Sequence, residues 1–213
     1  MLQLLREPVN ALTHLFGALL SVAGLAVLVV RGALWGSPFD IVAFAVFGAS
    51  LILLYLASGL YHSLKVPPEG LLRLRRWDHI SIFVLIAGTY TPFCLGPLRG
   101  PWGWSLFGAI WGLALLGIVV KLYWMSAPRW LYVTFYVIMG WLVVIALYPL
   151  IQAAPAQSVF WLVAGGVIYT VGAVVYAAKW PNIAPGSFGF HEIWHLFVLA
   201  GSISHFVAVY HLV

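Results

Sequence analysis

Residues 40–63 read DIVAFAVFGASLILLYLASGLYHS, and no side chain between Asp40 and His62 is charged. A helix needs roughly 20 apolar residues to cross the hydrocarbon core of a bilayer, and this run supplies them. It ends on Ser58 and His62, four positions apart and therefore on one helix face. Working outward, similar runs recur at 11–30, 77–95, 103–122, 130–150, 158–178 and 190–212. Short segments rich in Pro, Gly and charge separate them: GSPFD, KVPPEG, GPLRGP, SAPR, AAPAQ and KWPNIAPGSFG. The reading is an all-α membrane protein, a bundle of seven transmembrane helices in one domain spanning 1–213.

Composition agrees with that reading. Of 213 residues, 64% are hydrophobic and 7% charged, against about 25% charged in a soluble domain. So little polar surface cannot cover a water-facing globule. The single cysteine, Cys94, excludes an internal disulfide. The opening MLQLLREPVN lacks the pattern of a signal peptide, so the first helix is expected to stay in the mature protein. Tryptophans 35, 77, 102, 104, 124, 130, 161 and 180 fall at span ends, as an interfacial aromatic belt requires.

Positive charge orients the bundle. The N-terminus and the segments after the second, fourth and sixth spans carry eight Lys and Arg: Arg6, Lys65, Arg73, Arg75, Arg76, Lys121, Arg129 and Lys179. The other side carries two, Arg31 and Arg99. Basic residues stay cytoplasmic, so the N-terminus is expected inside and the C-terminus outside the cell (plasma or inner) membrane. The net charge of +5 then reflects topology and anionic lipid, and nucleic acid is not an expected partner.

Ionisable groups inside spans are costly and mark function. In this topology Glu7, Asn10 and His14 open the first helix from the cytoplasm, and Ser58 and His62 close the second. Asp78 and His79 open the third, and His191 and His195 open the seventh. Polar residues of four helices thus reach one depth in the cytoplasmic leaflet. His205 lies ten residues beyond His195, about 15 Å along the helix, too far to share a ligand sphere. His62, His191 and His195 make a tripod of neutral imidazoles suited to Zn²⁺ with a fourth position open, the pattern of catalytic zinc. Asp78 would balance the dication and accept a proton, and Ser58 would orient a ligand or hydrogen-bond at the site. Fe(II) also suits histidines with a carboxylate. His14 and His79 read more simply as packing residues, Glu7 with Asn10 as a helix-start and loop brace, and Tyr55, Tyr61, Tyr90 and Trp194 as packing or cavity lining.

HEIWH, residues 191–195, also matches the zinc-protease pattern in which the glutamate is general base. Glu192, however, is rotated about 100° from His191, and a structural or solvent-facing role suits it better.

The chain resembles the hemolysin III proteins, the bacterial branch of the progestin and adipoQ receptor family. The resemblance rests on EPVNALTHLFG, SGLYH, WDHISIFVLIAGTYTPF and HEIWHLFV. It implies seven helices, an inside N-terminus, and a zinc ion held by His62, His191 and His195, with Asp78 and Ser58 contacting the site. It makes the HExxH match a coincidence. Through the wider superfamily, which includes alkaline ceramidases, it implies hydrolysis of a lipid amide, so a membrane lipid is the expected partner. The rival readings are a lipid sensor or regulator of membrane fluidity with structural zinc, an intramembrane metalloprotease, and a pore-forming hemolysin. The last conflicts with a chain too apolar to travel through water.

Overall fold

The computed structural model describes residues 5–184 and 187–213; Met1 to Leu4 of the N-terminal stretch and Pro185–Gly186 of the last connection lie outside the described residues. Among the described residues there is no strand, and seven helices are long and apolar enough to cross a membrane. They are α1 Pro8–Trp35, α2 Pro38–Ser63, α3 Pro68–Leu95, α4 Pro101–Tyr123, α5 Arg129–Ala153, α6 Ala156–Ala178 and α7 Phe190–Tyr210.

Proline sets most of these starts. The first four helices carry it in their first turn, where its missing N–H has no intrahelical partner to lose. Pro128 and Pro155 stand immediately before α5 and α6. At α2 the start is reinforced by Asp40, whose Oδ2 accepts from both the Ser37 N–H and its hydroxyl at 2.7 Å.

Two elements differ from the sequence reading. The apolar run of the third span begins near Trp77, yet α3 starts at Pro68, more than two turns earlier. Hydropathy is blind to this turn-rich extension because Arg73, Arg75 and Arg76 interrupt the run while leaving helix formation favourable. Asp78 therefore sits well inside α3. The fifth span, read as continuous over 130–150, is a broken helix. An α-helix over Arg129–Trp141 passes through a 3₁₀ stretch, Leu142–Ala146, into a final α-helical piece, Leu147–Ala153. The wedge is Tyr90 of α3. Its hydroxyl takes the Val143 N–H at 2.9 Å and lies 2.8 Å from the carbonyls of Met139 and Gly140. A side chain inserted into the backbone ladder is a recognised cause of such a break.

The helices pack as a ring, α1–α2–α3–α5–α6–α7 and back to α1, with α4 outside it against α3 and the 3₁₀ stretch. Helix α3 is the most enclosed, with 72% of its most apolar stretch buried, against 17% for α5. The α1–α2 seam is close because Gly48 lies over Leu25, where a Cβ would come within 2.6 Å of a Leu25 methyl. Small residues at helix seams give the approach that apolar attraction alone does not supply inside lipid. Large apolar side chains such as Leu19, Leu115 and Phe160 point outward, as a hydrocarbon surround permits. Trp35, Trp77, Trp102, Trp104, Trp124, Trp130 and Trp180 are also exposed, whereas Trp161 packs partly against the core.

Candidate metal centre

His62 ends α2, and His191 and His195 occupy successive turns at the start of α7. The ring centroids of the three form a near-equilateral triangle: 5.1 Å for His62–His191, 4.8 Å for His62–His195 and 4.9 Å for His191–His195. One ligand atom from each lies within 4.8 Å of the others, so the trio could hold a metal ion. The Nε2 atoms of His191 and His195 are 3.2 Å apart. Two nitrogens at tetrahedral Zn–N distances of 2.0–2.1 Å lie about 3.3 Å apart. The His191–His195 pair thus has the spacing of two ligands of one zinc ion, and three imidazoles are a usual catalytic zinc set.

The sequence reading missed the group that orients His62. The Glu7 carboxylate contacts His62 Nδ1 directly and accepts its N–H. Glu7 reaches it because the N-terminal segment is laced to the end of α2: the Glu7 N–H donates to the His62 carbonyl at 2.9 Å and Arg6 to the Tyr61 carbonyl at 2.8 Å. Partial burial works to raise the Glu7 carboxyl, but the His62 contact and the Arg6 guanidinium outweigh it and pull it from 4.5 down to about 2. An anion on Nδ1 fixes that nitrogen as the protonated one and leaves the Nε2 lone pair for a metal. The loop-bracing role expected for Glu7 and Asn10 is present too. Asn10 Nδ2 donates to Glu192 Oε1 at 2.8 Å, while Glu192 Oε2 accepts the Gly189 N–H at 2.8 Å. One Glu192 oxygen thereby ties α1 to α7 and the other caps the start of α7, which are structural tasks.

Asp78 lies beside the trio on α3, close enough to interact with His62, and the Ser58 hydroxyl faces its carboxyl. The five residues singled out in the sequence therefore share one site. His14 joins them: its ring stacks on His195 at 3.7 Å with 21° between planes, and meets Tyr55 edge-on. Both of its ring nitrogens are buried without a hydrogen-bond partner. His79 packs edge-on against Tyr132 at 5.4 Å. Tyr55 is buried and donates to Ser202 at 2.7 Å. His205 is remote from the trio and contacts the Leu162 carbonyl instead.

These groups stand at one end of a cavity of about 650 Å³. From His62, Asp78 and His195 it runs between α3, α5, α6 and α7, past Leu85, Val137 and Val198, to Leu147 and His205. Its size is that of a pocket for a ligand of drug or lipid-chain dimensions.

Comparison with known proteins places the chain in context. The family model described as Haemolysin-III related matches residues 2–206. The chain is 43% identical over 204 residues to the Hemolysin-3 homolog of Bacillus subtilis (strain 168), covering 95% of this chain and 92% of that protein. It is 42% identical over 211 residues to Hemolysin-3 of Bacillus cereus, covering 98% and 93%. A more distant similarity, 25% over 209 residues, covers 94% of this chain and 82% of the human Monocyte to macrophage differentiation factor.

Proposed function

The chain belongs to the haemolysin III-related family, and from that premise we propose that it is a zinc-dependent hydrolase of membrane-lipid amide or ester bonds. The observation that carries this reading is the convergence of His62, His191 and His195 at the polar end of a long apolar cavity. His62, His191 and His195 hold the ion. Zinc bound there supplies Lewis-acid polarisation of a carbonyl and makes water nucleophilic near neutral pH. Asp78 takes the proton of the attacking water and returns it to the leaving amine or alcohol, so that one water is consumed and a fatty acid released. Ser58 holds the Asp78 carboxyl in place. Glu7 holds the His62 ring, and the apolar wall takes the acyl chain and keeps water to the polar end. The excess of Lys and Arg beside that end supports a position in the cytoplasmic leaflet of the cell membrane.

The test is direct. Protein purified in detergent is assayed for bound metal by elemental analysis and for fatty-acid release across a panel of ceramide-like amides and esters. About one zinc per chain is expected, with release that His191→Ala abolishes. Iron in place of zinc, or no release above the His191→Ala background on any lipid, counts against the reading.

One observation favours a second reading, a non-enzymatic lipid sensor. α2 and α7 make no extended packing with each other, so an ion shared by His62, His191 and His195 would join two helices otherwise held through α1 and α3. In that case chelation lowers thermal stability sharply and no lipid is turned over. A ligand present at about 1,000 times its Kd contributes about 4 kcal/mol, and a metal-stripped protein that melts unchanged excludes this role. Lysis through a pore is read out separately: leakage of liposomes at low protein-to-lipid ratio is not expected.

A further inference from the structure

Beside the histidine trio the cavity mouth carries a second polar group that the hydrolysis above does not use. Arg75 of α3 and Arg129 at the start of α5 both line the cavity, as do His79 and Tyr132. Behind Tyr132 stands Lys121 of α4, 1% exposed, with its Nζ 3.8 Å from the centre of the Tyr132 ring. That Nζ has no hydrogen-bond partner, nor has His79 Nδ1. Arg129 uses one nitrogen on the Tyr176 carbonyl at 3.0 Å and lies over the Tyr176 ring at 4.5 Å, which holds the guanidinium at the rim with other donors to spare. Lys121 and His79 each feel the charge of Arg75. Asp78, beside the histidine trio, also feels Arg75.

Topology alone does not account for this group. Keeping Lys and Arg cytoplasmic requires only that they sit at the water-facing ends of the spans, as the exposed Arg73 does near the start of α3. It does not require an ammonium to be buried without an acceptor. Burying a cation costs far more than one ring face returns. The acids lining the same cavity are engaged elsewhere, Glu7 by His62 and Arg6, Glu192 by Asn10 and the Gly189 N–H, and Asp78 by Ser58, which leaves Arg75 and Arg129, with Lys121 behind Tyr132, as a field suited to an anion. Guanidinium pairs at such a mouth suit the oxygens of phosphate, and basic pockets between transmembrane helices are a known setting for anionic headgroups.

We infer that Arg75, Arg129 and Lys121, with Tyr132, form a binding site for the phosphate of a lipid headgroup at the mouth of the cavity. The inference rests on the reading that the cavity receives a lipid. It narrows that lipid to one whose acyl carbonyl reaches the histidines while its phosphate remains at α3 and α5. Arg75 and Arg129 contact the phosphate oxygens, and Lys121 acts through the field behind Tyr132.

Binding tests this without turnover, so failure of hydrolysis and failure of this site are separate results. Full-length protein in an uncharged detergent is titrated with dioctanoyl phosphatidic acid, with dioctanoylglycerol of the same chains, and with inorganic phosphate, following intrinsic tryptophan fluorescence and melting temperature. Phosphatidic acid is expected to bind at least about tenfold more tightly than the diglyceride, the scale of one or two charge-assisted hydrogen bonds. The double variant Arg75→Gln/Arg129→Gln should lose that preference while retaining its metal and the diglyceride affinity. Lys121→Met, which removes a buried charge and is expected to fold, should reduce the preference. Arg73→Gln, off the cavity, should leave it intact. Equal affinity for the two lipids, or a preference that survives in the double variant, overturns the site. Inorganic phosphate that matches phosphatidic acid at the same concentration overturns the lipid assignment.

Discussion

A carboxylate on Nδ1 changes what the His62 imidazole can offer on its other side. Glu7 is that carboxylate, and it reads from sequence only as a helix-start residue, because nothing in the spacing between positions 7 and 62 announces a contact. Backbone bonds from Arg6 and Glu7 to the end of α2 create the contact. Replacing Glu7 with Gln keeps the size and removes the charge. Zinc affinity, measured by competition with a calibrated chelator, should fall about 10- to 100-fold, the usual cost of losing an outer partner of a metal-bound histidine. An unchanged affinity would mean that Glu7 only braces the chain. Asp78→Asn separates the two proposed roles of the site. It should retain its metal and lose lipid hydrolysis by about 10²- to 10⁴-fold, the usual contribution of a general base. Wild-type rates of fatty-acid release from that variant would remove Asp78 from the chemistry. The histidines themselves were legible because i and i+4 spacing is a property of one helix, whereas the stacking of His14 on His195 joins α1 to α7 and has no local signature.

Among the elements, α5 departs most from its apolar pattern. Thirteen residues of α-helix end at Trp141, and the next turn is tightened around the Tyr90 hydroxyl. Gly140 and Pro149 are local signs of a break, since Pro149 has no N–H to give the Ile145 carbonyl, while the hydroxyl that takes the freed backbone groups sits on α3. Tyr90→Phe strips a buried N–H and two carbonyls of their partner. The expected loss is about 1–3 kcal/mol, the cost of unsatisfied buried polar groups, seen as a lower melting temperature in detergent and a reshaped cavity wall at Val143 and Val144. A variant that melts with the wild type would show that α5 is bent by its own sequence. The long start of α3 has the opposite lesson. Pro68, Glu69 in the first turn and the leucines that follow favour helix, but a search for membrane spans discards the segment for its arginines. The same arginines then prove central, since Arg75 reaches the cavity.

For the whole molecule, orientation is the largest consequence of the charge pattern. Eight of the ten Lys and Arg gather at the end holding the histidine trio, which predicts a site reached from the cytoplasm. Cys94 is buried and free, so its replacement by Ala gives a clean background for labelling. On intact cells a membrane-impermeant maleimide should label Arg99→Cys, whereas Val66→Cys should react only after permeabilisation. The reverse pattern would turn the bundle over and place the site outside. Zinc chemistry at the opposite surface would then need a different lipid leaflet as its source.

The number of membrane-spanning helices, and the helix faces shared by Ser58 with His62 and by His191 with His195, were determined by the sequence alone. Apolar run length and i, i+4 spacing depend on nothing outside one segment. Everything that joins segments was decided by tertiary structure. The triangle of imidazoles, the Glu7 anchor, the Tyr90 wedge, the cavity and the buried Lys121 all pair residues tens to hundreds of positions apart. Their meeting depends on how seven similar apolar rods choose neighbours. In lipid that choice is made by shape and by a few buried polar contacts, because apolar surface is equally at home against lipid and against protein.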